Sequence, residues 1–129
     1  MAKSKILVVD DDPKLSRLVA TILNRVGGYD VFEENRPFAV VATAKQYRPD
    51  LILLDVDMPG KDGGALAREM SRDPVLGSVP VLFVTSLISS SETGTHNGAH
   101  YLSKPVNPQL LLDTVRSLCP RFHPEPQAA

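Results

Sequence analysis

The stretch LILLDVDMPGKDG, residues 51–63, decides the fold of this chain. Its four apolar residues, Leu51–Leu54, run without interruption into Asp55, a pattern typical of a strand buried on both faces. The proline and glycines behind Asp55 predict a tight loop. We therefore expect Asp55 at the end of a central strand, where the sheet holds its carboxylate and a ligand can still reach it. Taken alone, such a residue more often only ends a strand and starts a turn.

The rest of the chain alternates between strand and helix patterns. Apolar residues spaced three and four apart predict helices, and Asp12-Pro13 and Asn107-Pro108 are start signals for two of them. Five alternations indicate an α/β fold, a single doubly wound, five-stranded parallel sheet. Besides the central strand, short apolar runs predict strands at Ile6–Val9, Tyr29–Phe32, Val79–Val84 and Ala99–Ser103.

One segment departs from this alternation. Leu87–Gly98, between the fourth and fifth predicted strands, is polar and rich in serine, with only weak periodicity. No amphipathic helix is therefore predicted where the pattern calls for one.

Polar side chains follow the predicted strands at the point where each one ends. In a parallel sheet these ends share one rim, and ligands bind there. Three carboxylates at one rim repel one another unless a cation intervenes, and oxygen ligands suit Mg²⁺ or Mn²⁺. A lysine and a hydroxyl add the groups that stabilise a phosphoryl group, and a carboxylate can accept one as an acyl phosphate. The three carboxylates are Asp10, Asp11 and Asp55, with Asp57 two residues further on, and the hydroxyl and the lysine are Thr85 and Lys104.

Composition excludes several other classes of protein. The 129 residues suit one domain with a full core, and a net charge of −1 gives no electrostatic case for direct nucleic-acid or membrane binding. Cys119 is the only cysteine, which excludes an intrachain disulfide and a cysteine metal cluster. No apolar run is long enough for a signal-peptide core or a membrane span, so we expect a cytoplasmic protein.

Four motifs in this order resemble a response-regulator receiver domain of two-component signalling, the chemotaxis type. They are KILVVDDDP, LILLDVDMPGKDG, VPVLFVTS and YLSKP, within a similarity that covers about residues 5–118. The resemblance implies a flavodoxin-like strand order of 2-1-3-4-5 in the sheet. We assign the receiver domain to residues 1–119. The composition of residues 120–129, which include three prolines, predicts a disordered tail or a truncated linker.

The same resemblance implies roles for individual residues. Asp55 would be the phosphoacceptor, with Asp10, Asp11 and the backbone carbonyl of Asp57 as further metal ligands. Lys104 would bond the phosphoryl oxygen, and its peptide bond to Pro105 would be cis. Thr85 would be the switch hydroxyl, and Tyr101 the aromatic residue that follows it inward.

The resemblance also implies partners and a limit on activity. A histidine kinase or histidine phosphotransfer protein would donate the phosphoryl group in a phosphorelay, and an unidentified protein would be the downstream target. The domain would not be an enzyme beyond slow self-dephosphorylation. Thr85 and Lys104 lie about three residues closer than is usual in the family, roughly one helical turn. This shortening puts the usual output surface in doubt.

Two other interpretations stay open at this stage. Asp55-Val56-Asp57 after an apolar strand is similar to the first motif of haloacid-dehalogenase-like phosphatases. Their acidic ligands come downstream, whereas here the acidic pair lies upstream and no acidic residue follows Lys104 at a strand end. The other alternative is a pseudo-receiver, an adaptor that works without phosphorylation. The short 87–98 segment favours it, and the complete set of site residues argues against it.

Overall fold

A computed structural model describes residues 2–58, 62–88, 94–96, 99–120 and 122–123. In chain order the described strands are β1 (Ala2–Lys3), β2 (Lys5–Val9), β3 (Asp30–Glu34), β4 (Leu51–Asp55), β5 (Val81–Thr85), β6 (Gly94–His96), β7 (Ala99–Ser103) and β8 (Phe122–His123). Six of them form one sheet in the order β3-β2-β4-β5-β7-β6, and β1 pairs separately with β8. Within the sheet all neighbours are parallel except β6, which runs antiparallel to β7.

Helices connect the parallel strands and begin where capping residues allow. Asp12 caps α1 by accepting a hydrogen bond from the backbone N–H of Lys14, and Asn107 caps α4 by accepting one from Leu110. Proline follows each cap, where its missing N–H costs nothing. The helices are α1 (Pro13–Thr21), continued by a π-helix (Ile22–Val26), α2 (Val40–Tyr47), preceded by a 3₁₀ turn (Pro37–Ala39), α3 (Gly63–Ser71) and α4 (Pro108–Leu118).

Each face of the sheet has its own hydrophobic core. Alternate residues of β2 point to opposite faces: Ile6 and Val8 pack with α1 and α4, while Leu7 and Val9 pack with α2 and α3. All five residues of β4 are buried, because helices cover this central strand on both sides. The central position predicted for the strand that ends at Asp55 is therefore observed.

The expected doubly wound sheet of five parallel strands in flavodoxin-like order is confirmed. The structure adds β6 at one edge, which the sequence did not indicate because Gly94–His96 contains no apolar run. Its pairing with Ala99–Tyr101 is made by the backbone, and Gly94 has a φ of 133°, which favours glycine. In the described part of 87–98 the chain forms this strand and no helix. The remainder, residues 89–93 and 97–98, lies outside the described residues.

Two short segments near the ends of the chain pair with each other. Phe122–His123 pairs with Ala2–Lys3, so these two residues of the expected disordered tail form a short strand instead. Residues 121 and 124–129 lie outside the described part of the chain, and the domain boundary at residue 119 stays a prediction. None of the described helices is long and apolar enough to cross a membrane.

Candidate functional site

Three carboxylates converge at the carboxyl ends of β2 and β4. Asp55 is the last residue of β4, and Asp10 and Asp11 follow β2 directly. One carboxylate oxygen from each of the three lies within 4.8 Å of the others. Asp10 and Asp55 are buried, at 5% and 3% exposure, while Asp11 is exposed to solvent. The three side chains thus form a negatively charged cluster that opens to solvent on one side.

Among these carboxyls, Asp10 has a raised pKa. Burial, and next the proximity of Asp55, raise the pKa of the Asp10 carboxyl to about 7, although a hydrogen bond from the backbone N–H of Asp12 to its Oδ1 acts in the opposite direction. A carboxyl group with this pKa is partly protonated near neutral pH. A bound cation would favour the charged form.

Lys104 supplies the opposite charge. Its Nζ lies 2.8 Å from Asp55 Oδ1 and 3.9 Å from Asp57 Oδ2. Burial lowers the pKa of Lys104, but its hydrogen bond to Asp55 and the surrounding carboxylates outweigh burial and raise it. The lysine is therefore charged at physiological pH. The Lys104-Pro105 peptide bond is cis, as expected.

The end of β5 lies beside this ion pair. Thr85 is buried, and its Oγ1 accepts a hydrogen bond from the backbone N–H of Leu87. Ser86 donates to Asp57 Oδ2 both from its backbone N–H, at 3.2 Å, and from its hydroxyl, at 3.1 Å. The Asp57 side chain therefore connects the loop after β4 to the loop after β5. The backbone N–H of Asp57 donates a hydrogen bond to Asp55 Oδ1.

Tyr101 lies within β7, two residues before the end of the strand at Ser103. Its ring stacks on Phe83 of β5, with the ring centroids 5.4 Å apart. The ring is partly buried in this position. Its predicted role as the aromatic residue that follows Thr85 stays a prediction.

Gly63 lets α3 approach the backbone of Asp55. A Cβ at this position would lie 2.9 Å from the carbonyl oxygen of Asp55 and 3.0 Å from Val56 Cα, both of them backbone atoms. Such contacts are too short, so a side chain at residue 63 requires α3 or the end of β4 to move. The helix start therefore helps to fix where the Asp55 carboxylate lies.

We expect Gly63→Ala to lower the free energy of unfolding by about 1–3 kcal/mol, the usual cost of forcing a methyl group into a filled site. Gly64→Ala is the matched control, because its Cβ would meet only side-chain atoms at ordinary contact distances, Asp62 Oδ1 at 3.4 Å and Arg68 Nη1 at 3.6 Å. That control should be neutral or stabilising, since alanine favours helix. Urea denaturation of both variants checks the prediction, and equal stabilities would contradict it.

The donor set fits a small divalent cation. Carboxylate oxygens from two or three residues, with one side open for water and a phosphate oxygen, are what Mg²⁺ requires. Asp10, Asp11 and Asp55 would hold the ion, and its positive charge would favour the ionised form of Asp10. The Asp57 carbonyl stays a predicted further ligand.

The structure brings most of the predicted site residues together, and it adds others. Asp10, Asp11, Asp55, Asp57, Thr85 and Lys104 share one rim of the sheet, and Tyr101 lies within β7. Sequence analysis missed two polar residues that hold this rim, Ser86 and Asn35. Asn35 directly follows β3, and its Nδ2 donates to the carbonyl oxygen of Asp10. A signal was present for both, because each follows a strand at the same rim.

Comparisons with known proteins agree with this geometry. The family model described as the response regulator receiver domain matches residues 6–116. The regulator RpaA of Synechocystis, described as a DNA-binding dual master transcriptional regulator, is 39% identical over 128 residues, which are 97% of this chain and 53% of that protein. Protein PilH of Pseudomonas aeruginosa is 32% identical over 118 residues, 89% of this chain and 97% of that protein.

Solved structures show the same fold. The chemotaxis response regulator CheY4 of Vibrio cholerae superposes with a TM-score of 0.78 at 29% identity, covering 92% of this chain and all of that one. Several of the curated relatives are longer, and the chain spans about half the length of RpaA.

Proposed function

Since the chain belongs to the response regulator receiver domain family, we propose that it accepts a phosphoryl group on Asp55 and thereby switches the binding of a partner protein. One observation carries the assignment to this residue. Asp55 is a buried carboxylate at the end of the central strand, with a charged lysine 2.8 Å away and two more carboxylates beside it. The positive charge of Lys104 allows the Asp55 carboxylate, as a nucleophile, to approach an anionic phosphoryl group.

The reaction follows from the groups present. An oxygen of the Asp55 carboxylate attacks the phosphorus of a phosphohistidine whose other ring nitrogen is protonated. An O–P bond forms, the N–P bond breaks, and its electron pair leaves with the neutral imidazole. Lys104 turns from the Asp55 carboxylate to the transferred phosphoryl oxygens and stabilises their charge. Bound Mg²⁺ would neutralise further charge on these oxygens. Thr85 can donate its hydroxyl to one of them once its loop moves.

Membership of the family supports a proposal for the donor and for the location. We assign the donor as a histidine kinase or a histidine phosphotransfer protein and place the domain in the cytoplasm, where such donors present their phosphohistidines. The downstream target is a protein. The product acyl phosphate is lost only by slow hydrolysis, so the domain does not turn over a substrate as an enzyme does.

Incubation with acetyl phosphate and Mg²⁺ tests this function. We expect intact mass spectrometry to show one added phosphoryl group, which EDTA prevents and hydroxylamine removes, because acyl phosphates react with hydroxylamine. A chain that stays unlabelled with acetyl phosphate and also with a phosphorylated histidine phosphotransfer protein would instead be an adaptor that works without phosphorylation.

A further inference from the structure

Asn35 makes contacts that the proposed phosphorylation chemistry does not use. It follows β3, and its Nδ2 donates to two acceptors at 2.8 Å, the carbonyl oxygen of Asp10 and the hydroxyl of Ser16. The orientation of the amide is determined by its partners, because a carbonyl oxygen can only accept. Both N–H bonds of the amide are therefore used on neighbours of the acidic cluster.

These contacts belong to a network that holds the turn after β2. Ser16 is fully buried in α1 and donates to Glu33 Oε1 at 2.9 Å. The backbone N–H of Asp10 donates to the carbonyl of Glu34 at 3.2 Å. Glu34, the last residue of β3, thus accepts a hydrogen bond from the Asp10 N–H, and Asn35, the next residue, donates one to the Asp10 carbonyl.

The Asp10 carbonyl matters because it shares a peptide plane with Asp11. Holding that carbonyl sets the direction in which the chain continues to Asp11, and so sets where the Asp11 carboxylate lies. Within the described residues, no hydrogen bond holds that exposed carboxylate directly. Its approach to within 4.8 Å of Asp10 and Asp55 depends on the backbone.

We propose that Asn35 is a positioning residue, which holds the Asp10–Asp11 peptide so that both carboxylates face one divalent cation. This inference rests on the proposed function, since it concerns the cation of the same site. Asn35 touches neither the cation nor the phosphoryl group. Partners of this kind, which orient metal ligands, typically change metal affinity by about tenfold to a hundredfold when removed.

Titration calorimetry with Mg²⁺ alone tests the proposal. We expect Asn35→Ala to weaken Mg²⁺ binding by about tenfold. Asn35→Leu, which keeps the approximate volume of the side chain but has no donor, should behave alike and covers the case in which the alanine variant folds poorly. Labelling by acetyl phosphate should need correspondingly more Mg²⁺ for half-maximal rate and should reach the parent rate at saturating Mg²⁺. A general loss of structure would lower that maximal rate.

Arg17→Ala is the matched control. The substitution removes the ion pair between Arg17 and Glu33, which lies at the far end of the same network. Arg17 has no hydrogen bond or ion pair with Asp10 among the described residues. We expect it to bind Mg²⁺ as tightly as the parent. Parent-like binding by both Asn35 variants, or equal weakening by Arg17→Ala, would overturn the role of Asn35 and leave the proposed function intact. A parent chain that binds no Mg²⁺ and takes up no phosphoryl group would overturn both.

Discussion

Asp55→Asn is expected to abolish phosphorylation by acetyl phosphate in the presence of Mg²⁺. The amide keeps the size of the side chain but removes the anionic oxygen that attacks phosphorus. It also removes the negative charge that holds Lys104 Nζ at 2.8 Å, so a second variant that changes a carboxylate near Lys104 is needed as the control. Intact mass and peptide mapping after labelling measure the result, and we expect no adduct above background.

Asp57→Asn is the matched control for this experiment. The change is chemically identical and lies two residues further on, in a carboxylate that is 32% exposed and also lies near Lys104. This variant should still be labelled, because the Asp57 carboxylate of the parent accepts hydrogen bonds from Ser86 and is not the proposed nucleophile. Labelling of Asp55→Asn to the same extent as the parent would show that another residue accepts the phosphoryl group.

The second large effect concerns pH. The pKa of Asp10 is raised from 3.8 to about 7 in the folded protein, mainly by burial. The folded state therefore binds more protons than the unfolded state between these values, and stability falls as pH rises through this range. Each unit of pKa difference corresponds to about 1.4 kcal/mol, so the Asp10 carboxyl should contribute a loss of a few kcal/mol in the metal-free protein between about pH 4 and pH 8. The carboxyls of Glu34 and Asp73, whose pKa values are lowered, act in the opposite direction at the acidic end of this range.

Thermal or urea denaturation in EDTA at a series of pH values measures this loss. Asp10→Asn should remove most of it, because the amide still accepts the hydrogen bond from Asp12 and carries no charge. Asp113→Asn, in α4 and outside the cluster, should leave it unchanged. Saturating Mg²⁺ should stabilise the parent more at the upper end of the range than at the lower end, because protons compete with the cation for Asp10. The same pH dependence in the metal-free parent and in Asp10→Asn would contradict the described electrostatics of Asp10.

The rim of charged residues could be predicted because it depends on few and local features. A continuous apolar run followed by a polar residue marks a buried strand and its end, as at Val9–Asp10 and Leu54–Asp55. Strands that alternate with helices run parallel, and parallel strands end at the same edge of the sheet. Lys104 and Asp55, 49 residues apart in the chain, could therefore be placed together before their 2.8 Å contact was known.

Other features depended on distances that no local pattern encodes. Gly63 reads in the sequence as part of a turn, and only the approach of α3 to the Asp55 carbonyl shows why a side chain is excluded there. The Asp57 side chain could have faced the cluster, but it bonds Ser86 of the neighbouring strand end. β6 likewise depends on backbone pairing with β7, which side-chain patterns do not reveal.

The sequence by itself determined the fold class and the set of groups at the rim, since apolar runs, helical periodicity and the residues at strand ends are local features. The strand order came from the family resemblance alone. Only the tertiary structure decided which polar atoms meet: Asn35 with the Asp10 carbonyl, Asp57 with Ser86, and Tyr101 with Phe83. The physical reason is that hydrogen bonds act over about 3 Å. Whether two side chains satisfy that limit depends on the packed positions of separate strands and helices.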